Sequence, residues 1–219
     1  MRRRGNGSGA RLALAGLLLA LAGCGSGGDE GELSGEVLQF LLTSVPAEDG
    51  VVYSDRGVQT NGAFPLVGDL DANFRGLAAR QFFSFDVTSI PEEVLVTSAT
   101  LRLDMYASVG LPFNTHGNVV VDYLDFGTLD ADDYALRALE AGLGPIASTP
   151  ALGPRTVDVT SALAQVLALD RTRAQFRLRF DFADTDVDTS NDYAVFPEAE
   201  AASTGIGQAP TLLVVLRRR

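Results

Sequence analysis

Two stretches of this chain alternate apolar and polar residues with period two over eight or more positions, and nothing else in the sequence narrows the possible folds as much. In residues 175–183, Phe176, Leu178, Phe180 and Phe182 fall on one face and Arg177, Arg179 and Asp181 on the other. In residues 98–107, Ala99, Leu101, Leu103 and Met105 point one way and Thr100, Arg102, Asp104 and Tyr106 the other. Successive side chains of a strand point to opposite faces, whereas a helix repeats every ~3.6 residues. Both stretches are therefore half-buried strands, with the first set of each facing a core.

Shorter apolar runs recur at intervals of about ten residues between turn residues, the spacing of a sandwich or barrel. They mark further strands at 37–43, 51–54, 64–67, 81–86, 119–126, 156–159, 193–196 and 211–216. Two segments read as helices. Residues 130–140 open with three acids, which suit a helix N-terminus, and Gly142 stops the run. Residues 161–169 follow Thr160, a natural N-cap, and put Leu163, Val166 and Leu167 on one stripe. The expected fold is an all-β antiparallel sandwich with two short covering helices, forming a single domain over residues 36–219.

The N-terminus reads as an address. Arg2, Arg3, Arg4 and Arg11 precede an apolar or small run from Leu12 to Ala22, then Gly23 and Cys24. This is the charge and length pattern of a signal peptide, and the run is shorter than the ~17 to 25 residues that cross a bilayer. Leu21-Ala22-Gly23-Cys24 resembles the bacterial lipobox, which implies cleavage after residue 23 and an acylated Cys24 holding the protein on the membrane. The competing reading is a core helix ending in a buried cysteine. Residues 24–35, rich in Gly, Ser and acid, then read as a tether. Gly25, where aspartate would retain a Gram-negative lipoprotein on the inner membrane, points to the outer membrane.

Composition closes off several functions. One cysteine cannot form an internal disulfide, and one cysteine with one histidine cannot supply the four nitrogen and sulfur ligands of a structural zinc site. The formal charge is −11, and losing the leader's four arginines leaves −15. Nucleic-acid binders carry a basic footprint, so nucleic acid is excluded as a partner.

Several strings together resemble a known family: Gly50-Val-Val-Tyr-Ser-Asp55, Arg80-Gln-Phe-Phe-Ser-Phe-Asp-Val-Thr-Ser-Ile-Pro91 and Ser98-Ala-Thr-Leu-Arg-Leu103, followed by Val157-Asp-Val-Thr160, Ser190-Asn-Asp-Tyr193 and Pro210-Thr-Leu-Leu-Val-Val215. In this order they resemble the DNRLRE-type secreted β-sandwich domains, relatives of the family 96 carbohydrate-binding modules. The resemblance covers about residues 50–219. It implies a jelly-roll fold and an extracytoplasmic, glycan-facing role for a non-catalytic module.

Three groups of residues are candidates for that role. Asp184, Asp186, Asp188, Asn191 and Asp192 offer five oxygen ligands within nine residues, a set suited to Ca²⁺. Thr189 and Val195 stand where an EF-hand needs its Gly and Glu, so the alternatives are an irregular calcium loop or a solvated acidic hairpin. Asp69, Asp71 and Asn73 form a second acidic set. Arg177 and Arg179 share a strand face and, with Arg102, are expected to grip an anionic sugar bidentately or to pair with cross-strand acids. Tyr106 is the outward aromatic platform, with Tyr53 and Tyr193 as alternatives. His116, in the loop 110–117, reads as a surface histidine, because the sequence has no G-x-S-x-G elbow to pair it with a nucleophile.

Overall fold

The computed structural model describes residues 35–60, 65–70, 76–186, 189–200, 205 and 207–219. Cys24, Asp71, Asn73 and Asp188 lie outside the described residues.

The chain forms β1 (Val37–Thr43), β2 (Gly50–Tyr53), β3 (Val58–Thr60), β4 (Leu66–Leu70), β5 (Ala78–Asp86), β6 (Val94–Met105) and β7 (Ala107–Val109). A short helix α1 (Pro112–Thr115) precedes β8 (Val119–Leu124), β9 (Glu140–Ala147) and β10 (Gly153–Asp158). Helix α2 (Thr160–Ala168) leads to β11 (Arg173–Phe180), β12 (Asn191–Val195) and β13 (Thr211–Arg218). Every strand pairing is antiparallel.

Two sheets result. One has the order β1-β13-β6-β10, and the other β7-β12-β4-β5-β11-β8-β9, with β2 and β3 attached beside β5. No two neighbours in the four-stranded sheet are consecutive in the chain, so each connection passes through the other sheet. That crossing pattern is jelly-roll-like, and the fold is the expected all-β sandwich.

The alternation in β6 and β11 builds the core as expected. Leu101, Leu103 and Met105 from one sheet meet Phe176, Leu178 and Phe180 from the other in one continuous cluster. Leu212, Val214 and Leu216 of β13 join them. Helix α2 turns Ala162, Leu163 and Val166 inward and packs on both β6 and β11, bridging the two sheets. Thr160 is not its cap: the Thr160 hydroxyl accepts from the Ala99 amide, while Asp158 accepts from the Thr160 amide.

Two differences from expectation bear on function. The strand at 175–183 ends at Phe180, and Phe182 is 82% exposed rather than inward. The helix expected at 130–140 is only a 3₁₀ turn, Ala131–Ala135, closed by a capping box between Asp130 and Asp133. The turn ends at Leu136, whose backbone is extended at φ −56° and ψ 130°. The Tyr134 and Leu136 carbonyls accept from the Arg177 guanidinium, which ties this segment to β11. Tyr134 and Leu136 then pack on Val52, Phe82, Leu124, Phe126 and Leu129, a second apolar cluster that covers part of the larger sheet's outer face.

Candidate functional site

Arg102 lies on β6 and Tyr106 just past its end, while Arg177 and Arg179 lie on the other sheet. Arg102 stands on the outer face of the four-stranded sheet, in register with Thr211 of β13 and Thr156 of β10. It is exposed, and its guanidinium donates to Gln208 Oε1 at 3.0 Å. Tyr106 lies four residues on, about 13 Å at strand rise, and is 50% exposed. The same face carries Thr43, Thr100, Thr211, Leu41 and Leu213, with Leu41 opposite Leu213. Asp104, between Arg102 and Tyr106, Asp158, opposite Thr100, and Arg217, opposite Val37, share it, so it is a mixed surface of hydroxyls, aliphatic side chains and charges of both signs.

Arg177 is only 4% exposed and corrects the expectation of an outward arginine comb. Its Nη2 donates to Asp122 Oδ2 at 2.7 Å, and Arg179 Nε donates to the same oxygen at 2.9 Å. Asp122 is fully buried and also accepts from the Gly142 amide. Burial pushes the Asp122 carboxyl up, but the hydrogen bonds from Arg179, Arg177 and Gly142 outweigh it and hold it below the usual carboxylate range. Two guanidiniums and one carboxylate therefore form an interior network. Period two identified the polar face of β11, but the segment that covers it lies some forty residues away in sequence.

The acidic loop is likewise divided among separate partners. Asp184 pairs with Arg80 and accepts from the Tyr134 hydroxyl at 3.0 Å, with the Arg80 guanidinium 4.3 Å over the Tyr134 ring. Asp192 is buried in β12 and accepts from the Leu111 amide. Asn191 opens β12 opposite Leu70. Asp186 reaches elsewhere: its amide donates to Asp69 Oδ2 at 3.0 Å. Asp69, Asp186 and His116 bring ligand atoms within 4.8 Å of one another. His116 is fully buried against Phe180, correcting the surface reading. No residue pattern near His116 foretold this, since α1, β4 and the segment after β11 are distant in sequence.

Tyr53 and Tyr193 are half-buried and pack on Val51, Leu66 and Ala79, with the Tyr53 hydroxyl donating to Gln59. They are structural rather than platform aromatics. A cleft of about 290 Å³ lies beside Glu48 and Arg173, lined also by Thr60, Thr128, Leu129 and Thr172. Glu48 and Arg173 bind each other there, at 2.9 Å, and that bond holds the Glu48 carboxyl below its usual range.

Another buried carboxylate escaped sequence reading. Asp49 is fully buried; its Oδ2 accepts from the Ser44 hydroxyl at 2.5 Å and its Oδ1 from the Ser84 amide at 3.1 Å. Burial raises its pKa from 3.8 to about 7 despite those bonds, and the charge of Glu200 adds to the rise.

Among the described residues no helix is long and apolar enough to cross a membrane. A scan of the chain against protein-family models finds no matching family, and a search of curated proteins finds no match.

Proposed function

We propose that this protein is a lipid-anchored, extracytoplasmic, non-catalytic module that binds polysaccharide through the outer face of its four-stranded sheet, as a relative of the DNRLRE-type domains. The observation that carries the reading is the exposure of Arg102 on β6 and of Tyr106 just past its end, on one side of the chain and beside threonine hydroxyls. An aromatic ring offers a sugar an apolar stacking surface, and a guanidinium donates a planar fork of hydrogen bonds to carboxylate or hydroxyl oxygens. Arg177 has no part in this contact, since it is buried on Asp122. Acylation of Cys24 and delivery to the outer membrane complete the reading.

Glycan arrays and affinity gels test it. Binding that is lost in Arg102→Ala and Tyr106→Ala supports the proposal, and absence of binding with and without calcium sinks it. Calcium on the acidic loop, the structural ion of this reading, has a separate readout: unfolding temperatures with EDTA and with added Ca²⁺ then differ by several degrees, and identical curves exclude the ion.

A protein partner in the envelope is the second reading, favoured by Leu41 and Leu213, which are 67% and 43% exposed on the same face. A stable partner recovered from solubilised membranes, and released by Leu41→Ser, distinguishes it from glycan binding.

A further inference from the structure

Strands β4 and β12 pair in a register that sets Asp69 directly opposite Asp192. Both are buried, at 0% and 3% exposure. Like charges directly opposed on neighbouring strands are destabilising, and burial worsens the cost unless a cation or proton offsets it. His116, at the C-terminal end of α1 and itself 0% exposed, faces Asp69. Neither of its ring nitrogens has a hydrogen-bond partner among the described residues. A buried imidazole ordinarily uses both. Its Nε2 stands 4.0 Å from Asp69 Oδ2, too far for a hydrogen bond and about 0.7 Å wider than two ligands of one tetrahedral ion with bonds of ~2.0–2.1 Å.

We propose that Asp69, His116 and Asp186 bind one divalent ion of the zinc class, which ties together β4, α1 and the segment after β11. Three atoms no more than 4.8 Å apart always leave a point within about 2.8 Å of each, this being 4.8/√3. Closing to the ~2.0–2.2 Å of zinc–nitrogen and zinc–carboxylate bonds takes movements of well under 1 Å. The donor set decides the class: two carboxylates suit many cations, but an imidazole nitrogen favours zinc and the later first-row metals over calcium or magnesium. The Asp186 amide donates to Asp69, the Leu111 amide holds Asp192, and the Phe180 ring packs on the imidazole, with Phe113 against Phe180. The carboxylates supply what the sequence lacks in cysteine and histidine, and the ion does for this domain what a disulfide does in other exported proteins.

The experiment uses the full chain, purified and stripped with chelator, then titrated calorimetrically with Zn²⁺, Mn²⁺ or Ca²⁺, with melting followed in parallel. One Zn²⁺ per chain is expected, bound at least tenfold more tightly than Ca²⁺ and raising the melting temperature. His116→Asn is expected to weaken zinc at least tenfold and abolish the thermal gain. Asp186→Asn alters a half-exposed residue, so it carries the test if the histidine variant does not fold; it too weakens zinc while leaving the metal-free melting temperature near wild type. Zinc affinity unchanged in the variant that folds overturns the proposal. So does the absence of any binding, and so does calcium binding as tight as zinc.

Discussion

Asp49 makes the stability of this domain depend on pH in a way that one isosteric change should erase. Its carboxyl is fully buried, and burial raises its pKa to about 7 from 3.8. Because the folded state holds the proton more tightly than the unfolded chain, the stability tied to that proton is fully present below pH 3.8. It is lost as pH rises through about 7. At about 1.4 kcal/mol per pH unit, the interval from 3.8 to about 7 corresponds to about 4 kcal/mol. Asp49→Asn keeps an oxygen to accept from the Ser84 amide and gives the Ser44 hydroxyl an amide donor, without a charge to desolvate. Urea unfolding of both proteins from pH 4 to pH 8 measures the difference. The advantage of the variant over wild type should grow across that range by about 4 kcal/mol. Parallel stability curves for the two would refute the reasoning, since they would mean that the buried carboxyl titrates no differently when folded.

Removing Asp122 should have the opposite character. Asp122→Ala leaves Arg177 and Arg179 without their shared carboxylate, at a cost of about 3–5 kcal/mol in chemical denaturation. Since the carboxyl is held below its usual range, its contribution is present above pH 3.8 and disappears as pH falls through its lower folded value; wild type and Asp122→Asn should converge on acidification. Gly68 has φ of 124°, and a Cβ there would run into the Asp192 carbonyl and the Tyr193 backbone. Gly68→Ala should therefore destabilise the domain by about 1–3 kcal/mol, and by displacing Asp69 it should also weaken zinc in the calorimetric titration. Leu163→Ala, which empties the core-facing position of α2, should cost about 2–5 kcal/mol by the same unfolding assay.

How much of this was legible in sequence differs between fold and site. The strands with long alternation, β6 and β11, and the apolar run of β13 were readable because period two is a local property of an extended chain with one face on a core. Strands β3, β7 and β9 were not. Two of them are three residues long, and β9 is half polar or small, paired to β8 with two register shifts. The 3₁₀ turn at Ala131–Ala135 carried a good helix-start signal in its acids, but it stops at an extended Leu136, whose carbonyl binds Arg177 from another strand.

What the sequence by itself determined is the class of structure and the division of most strands into a core side and a polar side. Arg102 and Tyr106 were placed outward on that basis, and outward is where they are. Only the tertiary structure decided which polar faces meet water. Arg177 obeys the same alternation as Arg102, yet one is sealed on Asp122 beneath the segment that carries Tyr134 and Leu136, and the other stands in solvent. His116 and Asp69 give no local sign of burial, and they meet because β4, α1 and the end of β11 converge. The reason is physical: alternation reports a strand's two sides, whereas burial of a polar side chain depends on what another segment brings over it, and hydrogen bonding among such groups has no fixed separation in sequence.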